Sequence, residues 1–518
     1  MQHALSRPGP IAFALLLASS PFHGALGADD VKADPDGDAI ARGKYVAIAG
    51  DCAGCHTRDG GEAYAGGQAI ESPLGTLYTA NVTPDAETGI GSWTEEDFRR
   101  VLWHGRDDEG RYVYPAMPFD SYTKLSERDV ADLWAYFRSL EPVSYTPPEN
   151  DMVFPANIRE GLALWQAVEF EPGRFVPEPG RSEEYNRGAY LVEGAGHCGA
   201  CHTPRDILFG TDESRRYTGA EIHGWYAPAI GAGPLSEIGD WDTEELATFL
   251  ATGTNDSNQK VVGEMTKVVH DSLARLEPED VHAIATYLKE MPPPADTSTD
   301  TQGVTLSPAR REAGRALYAA HCLSCHQGDG RGIENGVPSL VGNATVEGRE
   351  ANDLIMLVLE GHAPEGTWGA MPSFATTLSA RHIADIANYV RTAWGNDGEP
   401  DVSPAKVGEV LQDATVPDGG QEPGVSCPIL SGERMAPALA ALPEVIDAHA
   451  PDPEQTAAMV ERYREARADS SVEDIVLALS SAYCRKLAAA GDASLPEQQG
   501  QVAAFAGAVA EAAMPDAR

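Results

Sequence analysis

Apolar residues recur at helical spacing in short segments that repeat three times along the chain. Leu125, Val130 and Phe137 mark one such segment; Leu276, Val281 and Leu288 mark the second; Leu378, Ile383 and Trp394 mark the third. Tyr136, Tyr287 and Tyr389 hold one shared position within them. Upstream, an amphipathic stretch runs from Trp93 to Gly105, from Trp241 to Gly253 and from Asp353 to Gly361, with glycine closing each. Each repeat opens on a short helical stretch with glycine and an aromatic residue: Gly43 with Tyr45, Gly188 with Tyr190, Gly314 with Tyr318. Thr94, Thr243, Ser126 and Ser379 stand where helix N-caps are expected, with acidic residues following Thr94 and Thr243. The opening glycines predict close approach by an aromatic residue of the last helix.

Between these stretches the chain is heavily punctuated. Its 52 Gly and 37 Pro exclude long uninterrupted helices and a regular parallel sheet, and predict short helices joined by turn-rich loops. Three units are expected at 36–142, 180–292 and 308–398. The connector 143–179 holds Pro147, Pro148, Pro155, Pro172, Pro177 and Pro179, and the next begins at Met291 with Pro292, Pro293 and Pro294. Both read as semi-rigid spacers lying over the unit surfaces. The fold class expected is mainly α.

A net charge of −41 excludes nucleic acid as a partner, because phosphate binding needs a basic surface. Residues 1–27 carry Arg7, a short apolar run from Ile11 to Leu17 and small residues at Ala25–Gly27, the pattern of a secretory signal peptide. No apolar run elsewhere approaches 18 residues, so the exported protein is expected to meet a membrane only peripherally or through a partner.

Six of the eight cysteines lie in one motif repeated three times: Cys52-Ala-Gly-Cys55-His56, Cys198-Gly-Ala-Cys201-His202 and Cys322-Leu-Ser-Cys325-His326. C-x-x-C-H is the attachment signature of c-type haem. Two thiols on one helical turn can add to the two vinyl groups of one porphyrin, and the adjacent His is then held at the iron as proximal ligand. A thioredoxin-like C-x-x-C would need a βαβ setting, and a zinc ribbon would need paired units roughly 15–20 residues apart. Here the motifs are separated by well over a hundred residues. Three covalently bound haem c groups are expected.

A second axial ligand is expected from methionine. Met117 lies in Tyr114-Pro-Ala-Met-Pro118 and Met371 in Gly369-Ala-Met-Pro-Ser-Phe374, 61 and 45 residues after the haem His. Met265 follows His202 by 63 residues without a following proline, and His223 and His270 are its rivals. Met356, inside an apolar helix, reads as core. Methionine candidates in all three units speak against a haem enzyme with an open iron.

Together with Tyr78-Thr-Ala-Asn-Val-Thr-Pro-Asp85, Gly89-Ile-Gly-Ser-Trp93, the block from Gly196 to Arg205 and Pro338-Ser-Leu-Val-Gly-Asn343, these motifs mark a family. Over residues 36–400 the chain resembles the three-haem cytochrome c subunits of bacterial membrane-associated dehydrogenases, the alcohol, gluconate and fructose dehydrogenase group. That resemblance implies three tandem class I cytochrome c domains. It implies an electron-transfer subunit in the periplasm that serves a catalytic partner carrying pyrroloquinoline quinone (PQQ) or flavin (FAD). That partner would oxidise an alcohol, sugar or polyol, and electrons would pass to ubiquinone or a terminal oxidase. The chain itself has no dinucleotide fingerprint or catalytic-triad signature, so it is not expected to be catalytic alone. The alternative is a free-standing periplasmic multihaem carrier whose acidic surface steers a basic partner.

Residues 399–518 depart from the repeat, with 20 Asp/Glu against 8 Lys/Arg and no haem motif. Helical patterns at 453–467 and 475–487 predict a small helical appendage, and Val502–Ala513 reads as a weak amphipathic helix rather than an anchor. Cys427 and Cys484, the two cysteines outside the haem motifs, are expected to form a disulfide.

Overall fold

The structure, a computed structural model, describes residues 35–232, 236–239, 241–293, 305–416, 432–443, 452–490 apart from 469 and 471, and parts of 501–513. The expected signal peptide at 1–27 lies outside the described residues.

Three helical units follow one another. The first holds α1 (Pro35–Ala49), α2 (Cys52–His56), α3 (Glu95–His104), α4 (Phe119–Tyr122) and α5 (Glu127–Ser139), and α6 (Leu162–Glu169) lies in the connector. The second holds α7 (Glu183–Tyr190), α8 (Gly199–His202), α9 (Thr243–Thr252), α10 (Glu264–Asp271) and α11 (Pro278–Glu290). The third holds α12 (Pro308–His321), α13 (Leu323–His326), α14 (Ala344–Glu347), α15 (Asn352–Glu360) and α16 (Ala380–Val390). Four more helices follow: α17 (Pro404–Asp413), α18 (Gly432–Ala441), α19 (Pro453–Ala466) and α20 (Val472–Ala490).

The caps explain the helix ends. Thr94 forms a full capping box with Asp97, while Ser126 and Ser379 each accept the N–H three residues on. In the second unit the cap is Asp242, not Thr243, which becomes the first helical residue. Asp accepts the same N–H as well as Thr does, so the helix starts one residue earlier.

First and last helices cross in every unit (α1 on α5, α7 on α11, α12 on α16). The opening glycines sit at the crossings, but their nearest neighbour is backbone. A Cβ on Gly43, Gly188 or Gly314 would collide with the carbonyl of Asp132, Ala283 or Asp385, respectively. The Cβ atoms of Tyr287 and Tyr389 come next, at 2.8 and 2.7 Å. A first-helix arginine pins each crossing. Arg42 bonds Asp132 at 2.6 and 2.9 Å, Arg187 bonds Asp280 at 2.7 and 2.6 Å, and Arg310 pairs with Asp385.

Units one and two share a single hydrophobic core that includes Phe98, Phe137, Tyr185, Leu246 and Tyr287. Across their junction the first-helix tyrosines are exchanged reciprocally. Tyr45 Oη accepts the Glu277 N–H at 3.1 Å and donates to Asp280 at 2.5 Å. Tyr190 Oη accepts the Ser126 N–H at 3.0 Å and donates to Asp129. Each unit thus closes the start of the other's last helix. Unit three joins unit two at residues 224–226, at Glu237 and at residues 258–260, where the Ser339 N–H donates to Asn258 O at 2.8 Å and Gln259 Nε2 to Gly342 O at 2.6 Å.

The connector is more ordered than a proline-rich spacer. The strand β3 (Asp151–Met152) extends a hairpin of β1 (Ala69–Ser72) and β2 (Gly75–Tyr78), and buried Gln166 of α6 donates to the closing carbonyls His104 O and Gly105 O. The tail also differs from expectation. Val402, Val407 and Val410 are buried in the core of unit three, so the segment up to α17 belongs to that unit's packing. Beyond it, α18, α19 and α20 enclose a separate core, in which Phe505, Val509 and Ala513 are buried. Cys484 in α20 is buried and disulfide-bonded. Its expected partner, Cys427, lies outside the described residues.

Candidate functional site

Each C-x-x-C-H motif forms one short helical turn, α2, α8 or the Cys322 cap with α13, so the two thiols of a pair and the following histidine sit together. None of the six cysteines is in a disulfide. Burial pushes the thiols of Cys52, Cys198 and Cys322 up to about 12. Among the described residues no group of three or more His, Cys, Asp or Glu side chains is placed to hold a metal ion.

The three histidines share one arrangement. Nδ1 of His56 lies 2.7 Å from Ala80 O, that of His202 lies 2.8 Å from Pro228 O, and that of His326 lies 3.3 Å from Pro338 O. A carbonyl can only accept, so Nδ1 carries the proton and Nε2 presents its lone pair. Burial lowers the pKa of all three, that of His326 to about 4, and so keeps the rings neutral. A neutral imidazole with a fixed tautomer is what an iron ligand needs.

Two features that position these carbonyls escaped the sequence reading. The first is a pair of hairpins: Ala80 follows β2 by two residues, and Pro228 directly follows β5 (Trp225–Ala227), which pairs with β4 (Ala220–Ile222). The second is a glycine with positive φ beside each histidine. Gly66, Gly219 and Gly332, at φ 74°, 86° and 67°, donate their N–H to the carbonyls of His56, His202 and His326. A Cβ on Gly66 would meet Ala80 O and one on Gly332 would meet Val337 O and Pro338 O, whereas one on Gly219 would meet the Tyr226 hydroxyl first and then Ala227 O, one residue before the acceptor Pro228. In units one and three only glycine therefore lets the chain pass beside the acceptor carbonyl.

The methionines stand on comparable loops. The stretches after Gly105 and Gly253 fold back in the same way, with Arg106 bridging Tyr112 and Thr254 bridging Lys260. Met117 and Met265 each follow the bridged residue by five positions, and both pack against the core shared by units one and two. Met265 lies in the first turn of α10 rather than in a loop. Met371 is itself the bridged residue, paired with His362 after Gly361, and packs on the core of unit three. The rivals of Met265 are engaged elsewhere: His223 Nε2 lies 2.9 Å from Glu71 O, and His270 is exposed beside Asp271. Met356 is fully buried in the core, as expected.

The turns, neutral histidines and glycine-lined approaches fit a covalently held haem, and define a c-type cytochrome. Residues 40–141 match the family Cytochrome c, and residues 309–390 match Cytochrome C oxidase, cbb3-type, subunit III. The chain is 37% identical over 412 residues to the cytochrome c subunit of alcohol dehydrogenase (quinone) from Gluconacetobacter polyoxogenes, covering 74% of this chain and 86% of the relative. It is 39% identical over 389 residues to the fructose dehydrogenase cytochrome subunit of Gluconobacter japonicus (69% and 80%). To the gluconate 2-dehydrogenase cytochrome c subunit of Pantoea cypripedii it is 36% identical over 426 residues (78% and 95%). The chain belongs to this family of dehydrogenase cytochrome c subunits, whose cofactor is covalently bound haem c.

Proposed function

We propose that the chain is a three-haem electron relay serving a periplasmic dehydrogenase, with domains at 36–142, 180–292 and 308–398. The observation that carries this reading is the threefold recurrence of one arrangement: a C-x-x-C-H turn whose histidine is fixed through Nδ1 on a backbone carbonyl. The middle unit repeats it as fully as the two that the cytochrome families match, which supports a haem there as well.

In this reading Cys52 and Cys55, Cys198 and Cys201, and Cys322 and Cys325 hold the three haems. His56, His202 and His326 are the proximal ligands, and Met117, Met265 and Met371 the distal ones. Haem c supplies reversible one-electron exchange at iron. The chain's own residues hold the imidazoles neutral, orient their Nε2 atoms and pack the three methionines against the cores. Units one and two, locked by one shared core and by the Tyr45 and Tyr190 exchange, keep two of the sites at a fixed separation.

The partner is a dehydrogenase catalytic subunit that oxidises an alcohol, sugar or polyol with PQQ or FAD. The acceptor is ubiquinone or the respiratory chain. The protein acts after export, held peripherally at the outer face of the inner membrane. No helix among the described residues is long and apolar enough to cross a membrane. Replacing Met117, Met265 or Met371 by Ala tests the ligand set. Each variant should lose the methionine-to-iron charge-transfer band of one haem only and lower that haem's potential. A variant that leaves all the bands intact would remove that methionine from the ligand set.

A further inference from the structure

Among the described residues eleven large apolar side chains are strongly exposed, and nine of them lie between Val153 and Phe209. Such concentration is not the scatter of ordinary surface leucines. Leu164 and Val168, 74% and 62% exposed, stand one turn apart on α6. Ile207, Leu208 and Phe209 project from the loop just after His202, Ile207 being 94% exposed. Trp165 Nε1 donates to Leu208 O at 2.8 Å, which ties helix and loop into one patch.

Beside this patch a cavity of about 480 Å³ is lined by Ala163 and Ala167 of α6 together with Arg100, His104, Arg106 and Tyr112. Arg106 lies over the Tyr112 ring, 4.0 Å from its centroid, and has no ion pair among the described residues. Arg100 is held by Asp97 and by the carbonyls of Asp107 and Asp108. A cationic cavity bordering exposed apolar side chains is conspicuous in a chain of net charge −41. Burial and a hydrogen bond with Asp206 raise the pKa of Glu169 beside the patch.

We propose that α6 and the 207–209 loop form a membrane-docking surface. Its apolar side chains enter the headgroup boundary, and Arg106, with Arg100 behind it, faces lipid phosphates. A bilayer satisfies both halves of the surface at once, and the chain has no spanning helix among its described residues to do that work. The loop begins at the second C-x-x-C-H turn, where Cys201 is exposed and Arg205 Nη2 donates to Ala200 O. Docking here therefore brings that turn next to the lipid phase. The inference deepens the proposed relay by giving it a face towards a lipid-dissolved acceptor, and it rests on that reading only for this purpose.

The test uses the purified haem-loaded full chain, sedimented with phosphatidylcholine vesicles or with vesicles containing one quarter phosphatidylglycerol. The wild type should sediment with both, more with the anionic vesicles, and that excess should fall at high salt. The Leu164→Asp/Ile207→Asp double variant should lose at least tenfold in partitioning. Arg106→Glu should lose the preference for anionic lipid. The haem spectrum and dithionite reducibility should be unchanged in every variant. A wild-type chain that stays in the supernatant, or a double variant that partitions like wild type, would overturn the inference. So would a double variant that keeps its vesicle binding but releases the catalytic subunit, since that result makes the patch a protein interface. Loss of the relay reading would show separately, as haems that the catalytic subunit cannot reduce.

Discussion

A single glycine decides how closely two helices cross in each unit. At Gly188 the backbone of α7 meets the Ala283 carbonyl so closely that no Cβ fits, whereas Gly408 on α17 has nothing within 4 Å. Gly188→Ala should therefore cost about 1–3 kcal/mol, because helix backbones yield poorly to overpacking. Gly408→Ala should gain about 0.5–1 kcal/mol through helix propensity alone. Denaturant unfolding of the haem-loaded variants, followed at the haem band, measures both. The crossing glycines were legible in the sequence as repeat landmarks, although the atom they admit is a carbonyl rather than an aromatic ring. Gly66, Gly219 and Gly332 were not legible. They follow their histidines by 10, 17 and 6 residues, so no spacing aligns them, and only the fold shows that they share one task. The C-x-x-C-H turns could be read because thiol, thiol and imidazole must be adjacent in the chain itself.

Between elements, the junctions carry side chains that no local pattern reveals. In the sequence Tyr45 and Tyr190 are only the aromatic residues of the opening stretches, yet each closes a helix start in the neighbouring unit. Replacing either by Phe should weaken the first junction by about 1 kcal/mol, seen as a lowered unfolding midpoint for units one and two together. At the second junction Asp353 accepts the Tyr226 N–H at 2.6 Å, and Glu237 accepts the Arg349 N–H at 3.3 Å. Burial lifts both carboxyls to about 7, opposed at Asp353 by the Tyr226 N–H and at Glu237 by Arg349 and Arg391, with repulsion from Asp353 adding to the rise at Glu237. A raised native carboxyl pKa means that the folded protein binds more protons, so this contribution to stability is full below about pH 4 and is lost as pH rises through 7. Melting temperature should fall over that window, and Asp353→Asn should flatten the fall; an unchanged slope would count against the pair. The connector helix α6 also escaped notice. Prolines on both sides masked eight helical residues that the surfaces of units one and two hold in place.

Across the whole molecule, the mainly helical character and the order of the recurring helices were legible, because the chain reuses the same local signals around each C-x-x-C-H turn. The packing of the units was not, since it depends on side chains from 61 to 235 residues apart. The tail shows the same limit. Its helices at 453–466 and 472–490 were foreseeable, whereas their association with the third unit was not: Leu323 and Ile333, on and just after the third C-x-x-C-H turn, pack against the tail's core. Reducing the disulfide of Cys484 should loosen that core and expose its haem turn to proteolysis before units one and two are touched. The account as a whole stands on three haems in one chain, including one in the middle unit. Reductive titration of the purified full chain, with haem content determined on the same sample, measures this directly. Three covalent haems taking up three electrons per chain are predicted, and two haems, or a middle unit that leaves His202 without iron, would contradict the account.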